Sequence, residues 1–150
     1  MKKVYIGADS AGYELKEILK EYLTEGGYTV VDAGTDSTAS CHYPIFAAAV
    51  ARGVQADADA LGILVCGTGI GMSMAANKFR GIRAAVCGDT FSARMTRLHN
   101  DANILCIGAR VIGQGLAKDI VDLFITTEFE GGRHATRVAM ITKLEAGEEI

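Results

Sequence analysis

Short apolar runs alternate along the chain with longer stretches whose apolar positions recur every three or four residues. Val4 to Ala8 is one such run, closed by Asp9 and Ser10; Tyr28 to Asp32, Leu61 to Val65, Ile82 to Cys87 and Asn103 to Gly108 are the others. Their length and their bounding residues predict five strands, the third leading straight into Cys66. Glu14 to Leu23 carries apolar side chains at 15, 18, 19, 22 and 23 opposite a charged face, the spacing of a helix that Gly26-Gly27 ends. After a polar loop from Gly34 to Tyr43, Pro44 predicts the first turn of a helix through Val50. Met72 to Lys78, the segment opened by Asp89, Gly115 to Thr127 and Arg133 to Ala146 complete the helices. Asp89 is expected to cap its helix, and Asp9 or Ser10 to cap the first, each by accepting a backbone N–H.

Strands that alternate with helices in this way call for an α/β fold with a parallel sheet covered on both faces. At 150 residues the chain is expected to form one domain, residues 1–150, with no linker or internal repeat. A formal net charge of −3 argues against nucleic-acid binding. No run of 18 apolar residues occurs, so no transmembrane helix is expected. The N-terminal apolar run is too short and too soon polar for a signal peptide. Cys41, Cys66, Cys87 and Cys106 are spread out with no C-x-x-C pair. That pattern reads as reduced thiols in a cytoplasm, and it lacks the ligand spacing of a zinc site.

Cys66 differs from the other cysteines in its C-terminal neighbours. Gly67-Thr68-Gly69-Ile70-Gly71 is a glycine-rich turn between the third strand and a helix, and it matches a dinucleotide fingerprint only loosely. A helix N-terminus favours a thiolate, and free amides receive an oxygen that gains negative charge. Three glycines in five residues exceed what a tight turn needs, and close approach of a ligand to the backbone is the expected reason. A cysteine-phosphatase loop is excluded because Met72 stands where its arginine would be. Cys87 and Cys106 read as packed small hydrophobes. His99, read as lying in a polar loop before the fifth strand, is the candidate proton carrier near neutral pH. Its segment is expected to converge with Asp9-Ser10, Cys66-Gly67-Thr68 and Cys87-Gly88-Asp89 on one sheet edge. Arg133 and Arg137 stand four apart at a helix start, where cations oppose the dipole unless an anion joins them, so they read as a phosphate site. Arg110 is a candidate third ligand.

Cys66-Gly67-Thr68-Gly69-Ile70-Gly71-Met72-Ser73, His99-Asn100-Asp101-Ala102-Asn103, Gly108-Ala109-Arg110-Val111-Ile112-Gly113 and Gly131-Gly132-Arg133-His134 together resemble the type B ribose-5-phosphate isomerase family, which includes allose-6-phosphate and galactose-6-phosphate isomerases. The resemblance runs from residue 3 to about residue 145. It implies a Rossmann-like three-layer α/β/α sandwich on a five-stranded parallel sheet. It also implies a metal-free, cofactor-free aldose–ketose isomerase that acts on a sugar phosphate as a dimer or tetramer. By that resemblance, Cys66 shuttles a proton between C1 and C2 of the open-chain sugar. Thr68 and the amides of Gly67, Gly69, Ile70 and Gly71 stabilise the enediolate, with Ser73 near the substrate. His99 and Asn100 come from the neighbouring subunit, His99 helping to open the sugar ring. Asp9 binds hydroxyls, Tyr43 lines the site, and Arg110, Arg133 and Arg137 hold the phosphate with His134 close by. Two positions depart from the family: Ser10 stands where histidine is usual, and His42 where aspartate is usual before Tyr43-Pro44. Both are expected at the substrate, with His42 taking over part of the missing imidazole's role. The departures keep a six-carbon or unphosphorylated aldose open as substrate, and a non-catalytic sugar-phosphate sensor is the rival from another class.

Overall fold

A computed structural model describes residues 2–150. Five strands, β1 (Lys3–Ala8), β2 (Thr29–Asp32), β3 (Leu61–Cys66), β4 (Ala84–Val86) and β5 (Ile104–Gly108), form one sheet in the order β2-β1-β3-β5-β4. Every neighbouring pair is parallel. The helices are α1 (Tyr13–Glu25), α2 (Tyr43–Ala56), α3 (Ile70–Ala76), α4 (Thr90–Asn100), α5 (Gln114–Thr126) and α6 (Arg133–Glu145). This is the expected three-layer α/β/α sandwich of Rossmann-like type. None of the helices among the described residues is long and apolar enough to cross a membrane.

Strands β3 and β5 are buried along their whole length, which fits a sheet covered on both faces. On one face Ile6, Ile63, Val65, Leu105 and Ile107 pack against Leu15, Leu19 and Leu23 of α1 and Ile120, Val121 and Phe124 of α5. On the other, Leu64, Cys66, Ile104 and Cys106 pack against Val50 and Val54 of α2 and Met72 and Ala76 of α3. Helix α6 is the outlier, because His134 is its one buried residue.

Helix α2, strand β4 and the start of α1 differ from the sequence reading for physical reasons. Helix α2 runs past Val50 to Ala56 because Gly53, a poor helix former, sits against the Tyr5 ring, where a Cβ would come within 2.4 Å. Strand β4 begins at Ala84, not Ile82. The preceding residues are held in a turn by Ile82 N–H donating to Phe79 O and by the Asn103 carboxamide, which accepts from Arg83 N–H and donates to Gly81 O. The Asn77 carboxamide then pairs with both the N–H and the C=O of Ala84, standing in for a neighbouring strand on this open edge. Asp89 caps α4 as expected, its carboxylate accepting from Ser92 N–H at 2.7 Å. Helix α1 is different: its N-cap is Gly12, and neither Asp9 nor Ser10 caps it. Asp9 instead accepts from Gly12 N–H at 3.0 Å, which closes the turn one residue earlier.

Candidate active site

The third strand delivers Cys66 to the carboxyl edge of the sheet. There its neighbours in register are Gly108 of β5 and, one step earlier, the β1 pair Ala8–Val65. Gly69 adopts the left-handed conformation (φ 82°) that lets the chain turn from β3 into α3, and its N–H donates to Cys66 Sγ at 3.1 Å. Ile70 N–H donates to Thr68 Oγ1 at 3.2 Å, which leaves the Thr68 hydroxyl proton free to point outward. Two of the turn's amides are therefore directed at its own side chains, and the exposed Thr68 hydroxyl is the donor best placed for a ligand oxygen. Ser73 donates to Ile70 O at 2.7 Å and so braces the same first turn.

The glycine excess has an explanation that differs from the one expected. A Cβ on Gly69 would press on the Ile107 backbone at 3.0 Å, and one on Gly71 would meet the Tyr43 ring at 2.7 Å. Both glycines answer to the chain's own packing. Only Gly67 has ordinary room, facing the Arg110 guanidinium at 3.5 Å. Arg110 N–H also donates to Gly67 O, which fixes this arginine beside the turn. Asp9 N–H donates to Val65 O, so the turn carrying Asp9 and Ser10 lies alongside the end of β3. His42 is the exposed N-cap of α2, followed by Tyr43, whose ring covers Gly71. This edge thus gathers Asp9, Ser10, His42, Tyr43, Gly67, Thr68, Gly69, Ile70, Gly71, Ser73 and Arg110 around a buried Cys66 that is 6% exposed.

The remaining predicted residues are elsewhere. His99 lies in the last helical turn of α4, not in a loop, and Asp101 ends that helix in the left-handed region (φ 47°). Because α4 runs from the end of β4 back to the start of β5, His99 and Asn100 occupy the amino edge, opposite Cys66. The expected convergence of all four polar segments on one edge fails for this reason. Arg133, His134 and Arg137 go with His99: Glu130 N–H donates to Leu98 O just before α6, and the His134 ring stacks on His99 at 4.1 Å between centroids. Within one chain Arg110 is therefore separated from Arg133 and Arg137. The three arginines do not form one cluster.

His99 Nε2 lies 3.7 Å from a Glu130 oxygen, an acidic partner the sequence reading missed. His99, Glu130 and His134 are the one group of metal-ligating side chains gathered within 4.8 Å among the described residues. Their imidazoles stack at 11°, so the ring nitrogens point side by side rather than toward one centre, a poor geometry for a shared ion. Burial, then the charge of neighbouring His99, holds His134 below the usual imidazole pKa. Burial also pushes the Cys87 thiol up to about 11 and the Cys106 thiol higher still, so both are inert packing residues as expected. A cavity of about 500 Å³ lies between β4, α4 and α6. Of the predicted site residues it touches only Asn100.

The end of β3 thus places a thiol, a hydroxyl and a guanidinium together at the carboxyl edge of an α/β sandwich, and chains of this fold and sequence are sugar-phosphate isomerases. The ribose/galactose isomerase family model matches residues 4–141, and the chain belongs to this family of sugar-phosphate aldose–ketose isomerases. The ribose-5-phosphate isomerase B of Escherichia coli is 48% identical over 145 residues, 97% of both chains. The D-erythrulose-4-phosphate isomerase of Pectobacterium atrosepticum is 45% identical over 150 residues, 99% of both. The structure of Clostridium thermocellum ribose-5-phosphate isomerase B superposes with a TM-score of 0.95 at 51% identity, covering 97% of this chain and 98% of that one.

Proposed function

We propose that this chain, as one isomerase domain over residues 1–150, interconverts ribose 5-phosphate and ribulose 5-phosphate through an enediol. The observation that carries the reading is the β3 end, where Cys66 Sγ, the Thr68 hydroxyl and Arg110 share one edge. Cys66 takes the proton from C2 of the open-chain aldose and returns it to C1. The oxygen that gains charge is met by the Thr68 hydroxyl, a donor fixed before the reaction begins, while the Gly69 and Ile70 amides hold Cys66 Sγ and Thr68 Oγ1 in place. Relatives named for ribose 5-phosphate support the five-carbon substrate. His99 and Asn100 act from a neighbouring subunit, His99 on the ring oxygen. Arg133 and Arg137 close on the phosphate together with Arg110 in the same way, with His134 behind them. The separation of the two half-sites across one chain supports this sharing, since neither half is complete alone. No cofactor is used, and the spread of free cysteines supports a cytoplasmic setting.

A coupled assay of ribose 5-phosphate conversion tests the reading. Cys66→Ala is expected to abolish turnover and leave sugar-phosphate binding intact; a comparable rate in that variant removes Cys66 as the base. Binding without turnover in the unaltered chain marks a sensor. A second substrate reading rests on the D-erythrulose-4-phosphate isomerase relative, which matches over the full length, together with Ser10 and His42 at the substrate edge. A panel of four-, five- and six-carbon aldoses, with and without phosphate, decides between them. If His42 takes over the role of a lost imidazole, His42→Ala lowers kcat on the best substrate, and unchanged kinetics exclude it.

A further inference from the structure

Arg97 is charged, yet it is 6% exposed, and its surroundings are specific. Its guanidinium lies over the Phe124 ring, 5.6 Å from the centroid, so α5 supports it from the core. Its Nε donates to Thr127 O at 3.2 Å, and one terminal nitrogen donates both to Ala102 O and to Asp101 Oδ1. From the other side Arg83 donates to the Asp101 backbone oxygen at 2.8 Å and to Asp101 Oδ2 at 3.2 Å. Two guanidiniums thus grip the single residue that ends α4 in the left-handed conformation. His99 is two residues away on that final turn, stacked on His134 of α6. The chain entering α6 is held by the same guanidinium at Thr127. Arg97 commits its Nε and one terminal nitrogen to these oxygens and is almost wholly buried, and its partners are all elements that set where the imidazole of residue 99 stands.

We propose that Arg97 and Asp101 are positioning residues that fix the His99 imidazole for its proton transfer. The inference rests on the reading of His99 as a proton carrier for the partner's site. Misplacing a reacting group by an ångström lowers a rate by about a hundredfold, so the effect belongs in kcat.

The test is a double-mutant cycle on ribose 5-phosphate turnover. Arg97→Gln is expected to lower kcat about tenfold to a hundredfold. Asp101→Asn keeps a residue that accepts the left-handed conformation and serves where Arg97→Gln folds poorly; it is expected to lower kcat in the same direction. On a His99→Ala background each substitution is expected to change kcat less than about twofold, because the group it positions is gone. Losses that multiply on that background, a change confined to KM, or an unchanged kcat in both single variants overturn the proposal. A separate arm isolates the reading beneath it. Ribulose 5-phosphate has no ring to open, since its O5 carries the phosphate, so deuterium exchange from solvent at its C1 needs Cys66 but no ring opening. If His99→Ala loses that exchange along with turnover, the ring-opening role of His99 fails, while the cycle still reports whether Arg97 and Asp101 act through it.

Discussion

The Tyr43 ring occupies the space a methyl on residue 71 would need, 2.7 Å from the ideal Cβ position. Tyr43 is 40% exposed and can swing away, so Gly71→Ala is expected to leave the melting temperature nearly unchanged. The displaced ring no longer walls the turn, and a rise in KM on the best sugar phosphate checks this. Gly12→Ala is the contrasting case. Its Cβ would come within 2.2 Å of Val65 O, a backbone atom in the central strand that cannot yield. A loss of about 3 kcal/mol is expected, read as a lower midpoint in a urea melt. At the same scale His134 gives a pH dependence. Burial and the neighbouring His99 charge lower its folded pKa, so the unfolded chain binds more protons as pH falls through the usual imidazole value of about 6.5. Stability therefore rises with pH across that range and falls on the acid side. Melts from pH 5 to 7.5 are expected to show that slope, and His134→Gln to flatten it.

At the scale of elements, periodicity reported helices faithfully and polarity misreported one end. Leu15, Ile18, Leu19, Tyr22 and Leu23 recur at helical spacing, and α1 forms over Tyr13–Glu25. The run from Arg97 to Asn103 is polar, which reads as loop, yet α4 continues through Asn100 because Arg97 and Arg83 neutralise and anchor its last turn. Arg97 pairs with Asp101 four residues on, but the Arg83–Asp101 pair and the Arg97 bond to Thr127 O reach across distant parts of the chain, and no local pattern carries those. Lys16 is a second case: helical spacing places a charge there, but its ammonium is fully buried, bonded to Asp32 at 2.7 Å and to Thr35 O at 2.6 Å. It fastens α1 to the segment that leads toward His42 and Tyr43. Lys16→Met leaves Thr35 O without this donor and Asp32 with Lys20 as its remaining lysine partner. A loss of about 1–3 kcal/mol is expected, measured by chemical denaturation, and an unchanged midpoint would show that the ammonium contributes no net stability.

For the whole molecule, the decisive fact is direction. A residue that closes a strand lies on the carboxyl edge of a parallel sheet, and one that ends the next helix lies on the amino edge. Cys66 closes β3, and His99 ends α4 just ahead of β5, so the alternation already separates them. That rule was available from sequence and would have split the predicted cluster correctly; the expectation that His99 serves a neighbouring subunit came only through the family resemblance, because contacts between chains leave no periodicity in one sequence. Subunit sharing makes a quantitative prediction. Cys66→Ala and His99→Ala homodimers each carry two broken sites. After unfolding and refolding together in equal amounts, about half the dimers pair one variant with the other. In such a dimer one site combines both lesions, and its mate draws an intact Cys66 from one chain and an intact His99 from the other. About a quarter of wild-type activity should therefore return from two inactive parents. If each site instead lay within one chain, the mixture would stay as inactive as its components, so the recovered rate distinguishes the two arrangements in a single assay.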